Sequence, residues 1–194
     1  MLQVRIHGRG GQGVVTTSEL LALACFVEGR HAQAFPSFGS ERTGAPVASF
    51  VRIDDRPVRS HDPVSAPDAV LVQDPTLLRG GDVLAGLSPS GVLVVNLRGE
   101  LSPEVRTAVG PDVRVLTVEA SETALRLIGR DVPGPALLGA LAAATGVVGV
   151  DALVAAVRER FTGRVADANA DAVLETYSAT LASAPEGGRH APTG

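Results

Sequence analysis

Apolar and polar positions follow a pattern that predicts strands and helices in turn along the first two thirds of the chain. Short apolar or alternating runs predict strands at residues 2–7, 31–35, 47–53, 69–73, 91–96 and 113–118. Helical spacing of apolar residues predicts helices over 14–27 and 121–128. Because buried strands that alternate with helices are typical of a parallel sheet covered on both faces, we predict a three-layer α/β domain with a mostly parallel sheet.

Two further elements are predicted from turn and capping residues. Residues 54–57 read as a turn, with 58–60 as the return strand of a hairpin beside the sheet. Asp74 is placed to cap a helix that starts at Pro75 and runs to Leu87, although Gly80 and Gly81 weaken it.

The last third of the chain has no strand pattern and predicts helices only. Leu, Val and Ala recur at helical spacing over 135–145, 151–161 and 169–181, and Asp151 is placed to cap the second of these helices. Residues 185–194 are polar and contain Gly and Pro, so we expect a disordered tail. Residues 1–184 are then one domain with a helical C-terminal third.

A glycine-rich loop joins the first strand to the first helix. It consists of Gly8, Arg9, Gly10, Gly11, Gln12 and Gly13. Glycines let the backbone turn tightly and approach a ligand, and the start of the helix offers unpaired N–H groups and a positive dipole end, so the loop suits an anion. The hydroxyls of Thr16, Thr17 and Ser18 would add donors in the first turns of the helix.

The spacing of Gly8, Gly10 and Gly13 also fits the dinucleotide fingerprint. That fingerprint needs an acidic residue at the end of the second strand, and no carboxylate ends the run at 31–35. Glu28 comes too early, and Glu41 falls inside a loop. The loop is therefore interpreted either as a turn that meets a phosphate or a partner's backbone, or as a tight turn without a ligand.

A second loop, residues 36–46, follows the second strand. A loop of that length inside a compact domain is usually functional or ordered by a partner. Aromatic and arginine side chains are enriched in interface hot spots, and this chain has few aromatics. We therefore predict a contact with a partner subunit, carried by Phe35, Phe38, Glu41, Arg42 and Thr43.

Composition excludes several kinds of chemistry. The net charge of −4 does not suggest binding to nucleic acid or to an anionic membrane, and all 17 basic residues are arginine, which excludes a Schiff-base or P-loop lysine. Cys25 is the single cysteine, so disulfides and cysteine-ligated zinc or iron–sulfur sites within one chain are excluded, and we expect Cys25 to be buried and inert. No signal peptide or membrane span is apparent, so we expect a cytoplasmic protein without a metal site.

Both loops together resemble a known family. Gly8 to Val15, and the unusual stretch Gln-Ala-Phe-Pro-Ser-Phe-Gly-Ser-Glu-Arg-Thr-Gly-Ala-Pro at 33–46, resemble the gamma subunit of 2-oxoacid:ferredoxin oxidoreductases, in particular the pyruvate and ketoisovalerate branch. The resemblance covers almost the whole chain. It departs at 133–140, where the family often has an Asn before a Met-Leu-Gly-Ala helix and this chain keeps only Leu-Gly-Ala.

The resemblance implies oxidative decarboxylation of a 2-oxoacid with coenzyme A, giving acyl-CoA, carbon dioxide and two electrons for ferredoxin. It also implies alpha, beta and delta-type partner subunits that carry thiamine diphosphate, magnesium and the iron–sulfur clusters, so this chain has no catalytic residue of its own. We predict that Gly8 to Gly13 and Arg42 share in the coenzyme A site, with Arg9 on a phosphate; alternatively Arg9 pairs with a carboxylate of a sister subunit. The rival functions are a stand-alone dinucleotide-dependent oxidoreductase and a scaffold whose loops bind only sister subunits.

Overall fold

The computed structural model describes residues 1–37, 43–60, 62–80 and 82–183, and its centre is a six-stranded sheet. The strands are β1 (Leu2–Arg9), β2 (His31–Pro36), β3 (Pro46–Asp54), β4 (Ala69–Val72), β5 (Val92–Asn96) and β6 (Arg114–Val118). The helices are α1 (Val14–Val27), α2 (Pro103–Val109), α3 (Ala120–Leu127), α4 (Gly134–Thr145), α5 (Val150–Arg160) and α6 (Gly163–Ser183). Two short 3₁₀ segments, Pro75–Gly80 and Asp82–Leu84, follow β4.

The strand order is β2-β3-β1-β4-β5-β6. Strands β1, β4, β5 and β6 pair in parallel, whereas β3 is antiparallel to both of its neighbours, β1 and β2. Since β2 runs in the same direction as β1, β3 is the one reversed strand of the six. The mostly parallel α/β sheet predicted from the sequence is confirmed.

Two cores lie on opposite faces of the sheet. Neighbouring residues of a strand point to opposite faces, and in β4 Leu71 joins the core under α1, α4, α5 and α6, while Val70 and Val72 join the core on the other face. That second core is covered by the 3₁₀ segments and α2, through Leu78, Val83 and Val109 among others. The predicted three layers and the helical C-terminal third are therefore confirmed, with thick helical cover on one face and thin cover on the other.

The hairpin strand predicted at 58–60 is wrong. These residues form no strand, and the antiparallel partners of β3 are β1 and β2. Arginine side chains take the place of a ladder: Arg52 donates from Nη1 to the Ser60 carbonyl at 3.0 Å and from Nη2 to the Asp62 carbonyl at 2.6 Å. Arg5 donates to the Val64 carbonyl at 3.2 Å. The segment after β3 is thus held flat against the sheet by side chains from β1 and β3.

Two helix predictions need correction here, and one cap is confirmed. The helix predicted from Pro75 to Leu87 is replaced by the two 3₁₀ segments, as expected of a sequence that contains Gly-Gly. Asp74 does cap the first of them, since it accepts the Thr76 N–H at 2.9 Å. Gly149, and not Asp151, precedes the first turn of α5, and its N–H donates to Glu28 Oε1 at 2.7 Å.

The other helix boundaries follow local chemistry that the periodicity did not reveal. Helix α2 is not predicted by its polar sequence; the side chain of Ser102 caps it by accepting the Val105 N–H at 3.4 Å. Helix α6 starts earlier than predicted, at Gly163. The predicted disordered tail, 185–194, lies outside the described residues.

Cys25 is completely buried on α1, as predicted. Burial raises the pKa of its thiol to about 11, so the thiolate does not form at neutral pH. None of the helices in the described ranges is long and apolar enough to cross a membrane.

Candidate functional site

The glycine loop between β1 and α1 has a backbone that only glycine adopts without strain. Gly11 has a φ of +99° and Gly13 a φ of +75°. Gly13 occupies the cap position of α1 and supplies no side-chain cap, so the first-turn N–H groups have no partner within the helix. These groups and the helix dipole give the outer side of the loop the character of an anion-binding surface.

Gly8 and Arg9 were predicted to belong to the glycine loop, but the structure places both at the end of β1, so the loop itself is 10–13. Gly8 and Gln12 shape this loop from the inside. A Cβ on Gly8 would lie 2.6 Å from Val14 Cγ2 and 2.9 Å from Gln73 Oε1, so only glycine fits there. Gln12 closes the turn, because its Oε1 accepts the Arg9 N–H at 2.8 Å and its own N–H donates to the Arg9 carbonyl at 3.0 Å. A Cβ on Gly11 or Gly13 would meet no atom within 4 Å, so both residues border open space.

The end of the second loop lies against the glycine loop. Since β3 is antiparallel to β1, it begins where β1 ends. The Gly10 N–H donates to the Ala45 carbonyl at 2.9 Å, and the Gly44 N–H donates to the Gly10 carbonyl at 3.0 Å. Thr43 forms an isolated bridge with Gly10 and is exposed. The predicted site residues Phe38, Glu41 and Arg42 lie outside the described residues.

Arg9 links three segments of this chain. Its Nε lies 2.6 Å from Asp74 Oδ2, its Nη1 donates to the Gly44 carbonyl at 3.0 Å, and its Nη2 donates to Thr76 Oγ1 at 2.9 Å. The carboxylate partner of Arg9 is thus a residue of the same chain. We call Arg9, Asp74 and Thr76 the arginine clamp, because they join the ends of β1 and β4 to the second loop.

The surroundings of Asp74 favour its ionised form. Partial burial acts to raise the pKa of Asp74, but hydrogen bonds from Thr76 and the bond and charge of Arg9 outweigh it, so the pKa lies below its usual value. The Arg9 side chain is 36% exposed. A guanidinium has five N–H donors, and the bonds to Asp74, Gly44 and Thr76 use three of them, so two are not used by these bonds.

The hydroxyls at the start of α1 do not all face outward, which corrects the expectation from the sequence. Ser18 is buried, and its Oγ lies 2.6 Å from Ser49 Oγ. Thr17 Oγ1 donates to the Gly13 carbonyl at 2.9 Å and accepts from Gln73 Nε2 at 2.7 Å. Of the three hydroxyl residues, Thr16 borders the concavities on both sides of the loop.

Two concavities flank the glycine loop. One, of about 370 Å³, lies between the loop, the first turn of α1 and the start of β3, and Arg9, Thr43 and Val47 border it. The other, of about 280 Å³, lies between the loop and the starts of α4 and α6, and Arg130 and Phe161 border it. The first concavity thus brings Arg9 of the clamp, the first turn of α1 and the end of the second loop together.

Phe35, predicted to contact a partner, packs inside this chain. Its ring is 8% exposed, its centroid lies 5.3 Å from that of Phe50, and the Arg52 guanidinium carbon lies 5.2 Å from the ring centroid. The cluster of Phe35, Phe50 and Val64 anchors the start of the second loop to the sheet. Contact of this loop with a partner subunit stays a prediction.

Sequence reasoning did not connect Gln73 and Asp74 with the glycine loop. Both residues follow β4, and β4 lies beside β1, so the two strands end at the same edge of the sheet. The available signal was polar residues directly after a buried strand; the missing information was which strand neighbours β1.

The fold and the site together define the class of protein. It is an α/β domain in which a glycine loop and a second loop are hydrogen-bonded to each other at the end of β1. The chain belongs to the pyruvate ferredoxin/flavodoxin oxidoreductase family, whose sequence profile matches residues 3–179. The family resemblance predicted from the two loops is thereby confirmed.

Named relatives are similar over nearly their full length. The chain is 45% identical over 177 residues to the pyruvate synthase subunit PorC of Methanothermobacter thermautotrophicus, covering 91% of this chain and 94% of that protein. It is 42% identical over 180 residues to the pyruvate/ketoisovalerate oxidoreductases common subunit gamma of Pyrococcus furiosus, covering 93% and 97%. The crystal structure of pyruvate oxidoreductase subunit PORC from Thermotoga maritima matches with a TM-score of 0.79 and 37% identity, over 91% of this chain and 95% of that one.

Proposed function

We propose that this chain is the gamma-type subunit of a 2-oxoacid:ferredoxin oxidoreductase that converts pyruvate or a branched-chain ketoacid to acyl-CoA. The observation that carries the proposal is the match to gamma and PorC subunits along nearly the whole chain, including both loops. A single cysteine cannot hold an iron–sulfur cluster, and the sequence has no Gly-Asp-Gly motif of the kind expected in a thiamine diphosphate site, so decarboxylation and electron transfer fall to alpha, beta and delta-type partners. Thiamine diphosphate, magnesium and the iron–sulfur clusters belong on those cytoplasmic partners, with ferredoxin as the acceptor.

The specific contribution of this chain is part of the coenzyme A site. Coenzyme A carries a pyrophosphate and a 3′-phosphate, which need N–H donors and positive charge. The N–H groups at Gly11, Gly13 and the first turn of α1, which border open space, would supply the donors, and Arg9 would supply a guanidinium held in place by Asp74. Because Asp74 offsets much of the charge of Arg9, the backbone N–H groups carry the larger share of phosphate recognition.

The topology argues against a stand-alone dinucleotide-binding domain. In the dinucleotide fold, the acidic residue that holds the ribose ends the second strand of the chain, about 20 residues after the glycines, and that strand lies beside the glycine-loop strand. Here antiparallel β3 separates β2 from β1, and β2 ends at Pro36. Asp74, which follows β4 on the other side of β1, comes far later in the chain and is bound by Arg9. The glycine spacing therefore lacks the neighbour that would complete a dinucleotide site. Tight binding of NAD to the purified chain in calorimetry would favour this rival.

The test uses the assembled oxidoreductase and two matched glycine variants. Gly13→Ala forces an L residue to a φ of +75°, which costs about 1–2 kcal/mol and displaces the N–H groups of the loop. We expect the KM for coenzyme A to rise about tenfold, at 1.4 kcal/mol per factor of ten, with the KM for the oxoacid unchanged. Gly99→Ala is the control, since Gly99 has a φ of +83° and open space around it, and it borders neither concavity beside the loop.

Arg9→Ala should raise the KM for coenzyme A by about 10- to 100-fold if the guanidinium touches a phosphate, which a charged hydrogen bond of about 1.5–3 kcal/mol permits. If the loop variants leave both Michaelis constants unchanged in an intact complex, the coenzyme A proposal fails, and the scaffold function is favoured instead. Arg42→Ala tests the second loop separately: we expect weaker co-purification of the partner subunits, and undiminished assembly would count against the interface.

A further inference from the structure

Gln73 connects the end of β4 to both sides of the glycine loop. Its side chain is completely buried. Its main-chain N–H donates to the carbonyl of His7, near the end of β1, at 2.7 Å. Its Nε2 donates to Thr17 Oγ1 at 2.7 Å, and Thr17 in turn donates to the Gly13 carbonyl at 2.9 Å. Two hydrogen bonds in series therefore link Gln73 to Gly13, the residue that precedes α1.

The side chain of Gln73 is enclosed by glycines. A Cβ on Gly8 would lie 2.9 Å from Gln73 Oε1. A Cβ on Gly134, at the start of α4, would lie 2.0 Å from Thr17 Oγ1 and 3.1 Å from Gln73 Nε2. Glycine on both sides thus leaves the space that the amide and the hydroxyl occupy, and the amide has little freedom to turn.

The two polar atoms of the Gln73 side chain differ: Nε2 has a hydrogen-bond partner and Oε1, which is buried, has none among the described residues. Native proteins leave few buried acceptors without a partner, and an apolar side chain of the same shape would avoid the cost. Gln73 is therefore a poor choice for packing alone, and its Nε2 bond to Thr17 is the interaction that distinguishes it from methionine.

A second amide holds Gln73 in place from β5. Asn96 Nδ2 donates to the Gln73 carbonyl and to Ser121 Oγ, both at 2.8 Å. Ser121 Oγ donates to Asp131 Oδ1 at 2.5 Å, in the connection between α3 and α4. The backbone of Gln73 is thus fixed from two neighbouring strands, so its side chain can transmit that position to the loop.

We propose that Gln73 is a positioning residue for the glycine loop. Through Thr17, it sets the direction of the Gly13 carbonyl, and with it the direction of the N–H groups at the start of α1. The inference deepens the proposed function and rests on it for its effect on coenzyme A, whereas the effect on the loop itself does not depend on any ligand.

The kinetic test compares four variants in the assembled oxidoreductase. Gln73→Met and Thr17→Val remove one partner each and keep the approximate shape, the double variant removes both, and Thr17→Ser keeps the hydroxyl. We expect each single variant to raise the KM for coenzyme A about fivefold with a smaller change in kcat, the double variant to be no worse than either single one, and Thr17→Ser to behave as the parent. Interactions through one shared bond are non-additive in such a cycle.

Thr176→Val is the matched control. Thr176 is also a buried helix threonine, and its Oγ1 donates to the Ala136 carbonyl at 2.6 Å, far along the chain from the loop. The variant makes the same chemical change and should leave the KM for coenzyme A unaltered. Equal effects of Thr176→Val and Thr17→Val would show a general loss of packing and overturn the proposal.

Amide hydrogen exchange of the full chain without ligand tests the position of the glycine loop independently of coenzyme A binding. Gln73→Met and Thr17→Val should each speed exchange of the amides of residues 10–17 by about fivefold or more, and Thr176→Val should not. Unchanged exchange, or effects of the two substitutions that simply add in the double variant, would overturn the positioning role. Faster exchange with an unchanged KM for coenzyme A would support the positioning role and overturn the coenzyme A site. If Gln73→Met does not fold, the Thr17→Val and Thr17→Ser pair still decides, since only loss of the hydroxyl should matter.

Discussion

Asp74→Asn tests whether the arginine clamp stabilises the domain. The carboxylate of Asp74 accepts from Arg9 Nε at 2.6 Å through one oxygen and from the Thr76 N–H at 2.9 Å through the other. An asparagine has a single acceptor oxygen, so it can satisfy one of these donors and must present its own NH₂ group to the other. The isosteric change therefore breaks one side of the clamp whichever way the amide turns.

The expected loss is modest, because the clamp is partly exposed. A hydrogen bond to a charged group contributes about 1.5–3 kcal/mol when well shielded, and exposed ion pairs contribute about 0–1 kcal/mol. The side chain of Asp74 is 15% exposed and that of Arg9 36%, which places the pair between these limits, at about 1–2 kcal/mol. For a domain of this size, about 2–4 °C per kcal/mol gives a Tm lower by roughly 2–8 °C.

The same substitution has a characteristic pH dependence. The pKa of Asp74 is lower in the folded chain than in the unfolded one, so its stabilisation is complete above the unfolded pKa and is lost as the pH falls through the folded pKa. Urea unfolding followed by circular dichroism should thus show a constant gap between parent and Asp74→Asn from neutral pH to about pH 4, closing below it. Asp112→Asn, an exposed carboxylate, is the control. A gap that is absent at pH 7, or that persists undiminished at pH 2.5, would refute the reasoning.

Three further outcomes follow from buried groups. Gly139→Ala should lower the free energy of unfolding by about 1–3 kcal/mol in urea titration, since its Cβ would lie 2.3 Å from the Val173 carbonyl oxygen and would separate α4 from α6; unchanged stability would contradict that contact. The folded state should lose stability as the pH falls from about 6.5 to about 4, because burial and the charge of Arg5 lower the pKa of His7 to about 4, while His7 of the unfolded chain already binds a proton near pH 6.5. His7→Gln should reduce this pH dependence of stability. An NMR titration of His7 with a midpoint near 6.5 in the folded chain would be inconsistent with it. Cys25, with its pKa raised to about 11, should resist iodoacetamide at pH 8 in native protein and react once urea unfolds the chain; rapid native labelling would argue against its burial.

Local chemistry was readable from the sequence, and long-range pairing was not. The run from Val14 to Val27 and the cap at Asp74 were predicted correctly, because periodicity and capping depend on neighbouring residues. The bond from Asp74 to Arg9 depends on β4 lying beside β1, which no local pattern encodes. In the same way, the segment at 58–60 has strand-like residues but forms no strand, and its Ser60 carbonyl accepts from the Arg52 side chain on β3.

The local geometry of the glycine loop was predicted in part, whereas its role as a binding site stays a prediction. The glycine loop was located from residue types alone, and its uncapped helix start and left-handed glycines agree with that interpretation. The inward turn of Thr17 was missed, because a threonine in the first turn of a helix can face either way, and Gln73 decides the direction from another strand.

The placement of the C-terminal helices affects how the loop is made during synthesis. Val4 and Ile6 of β1, on the strand that leads into the glycine loop, share a core with Leu137 and Leu138 of α4 and with α6, which ends at Ser183. On the ribosome, the first strand therefore emerges long before the helices that bury it. Domains generally fold as units, so the glycine loop should reach its final shape only when nearly the whole chain has left the exit tunnel. Nascent chains that stop before α6 would then present an incomplete loop, and partner subunits would meet a finished site only on full-length protein.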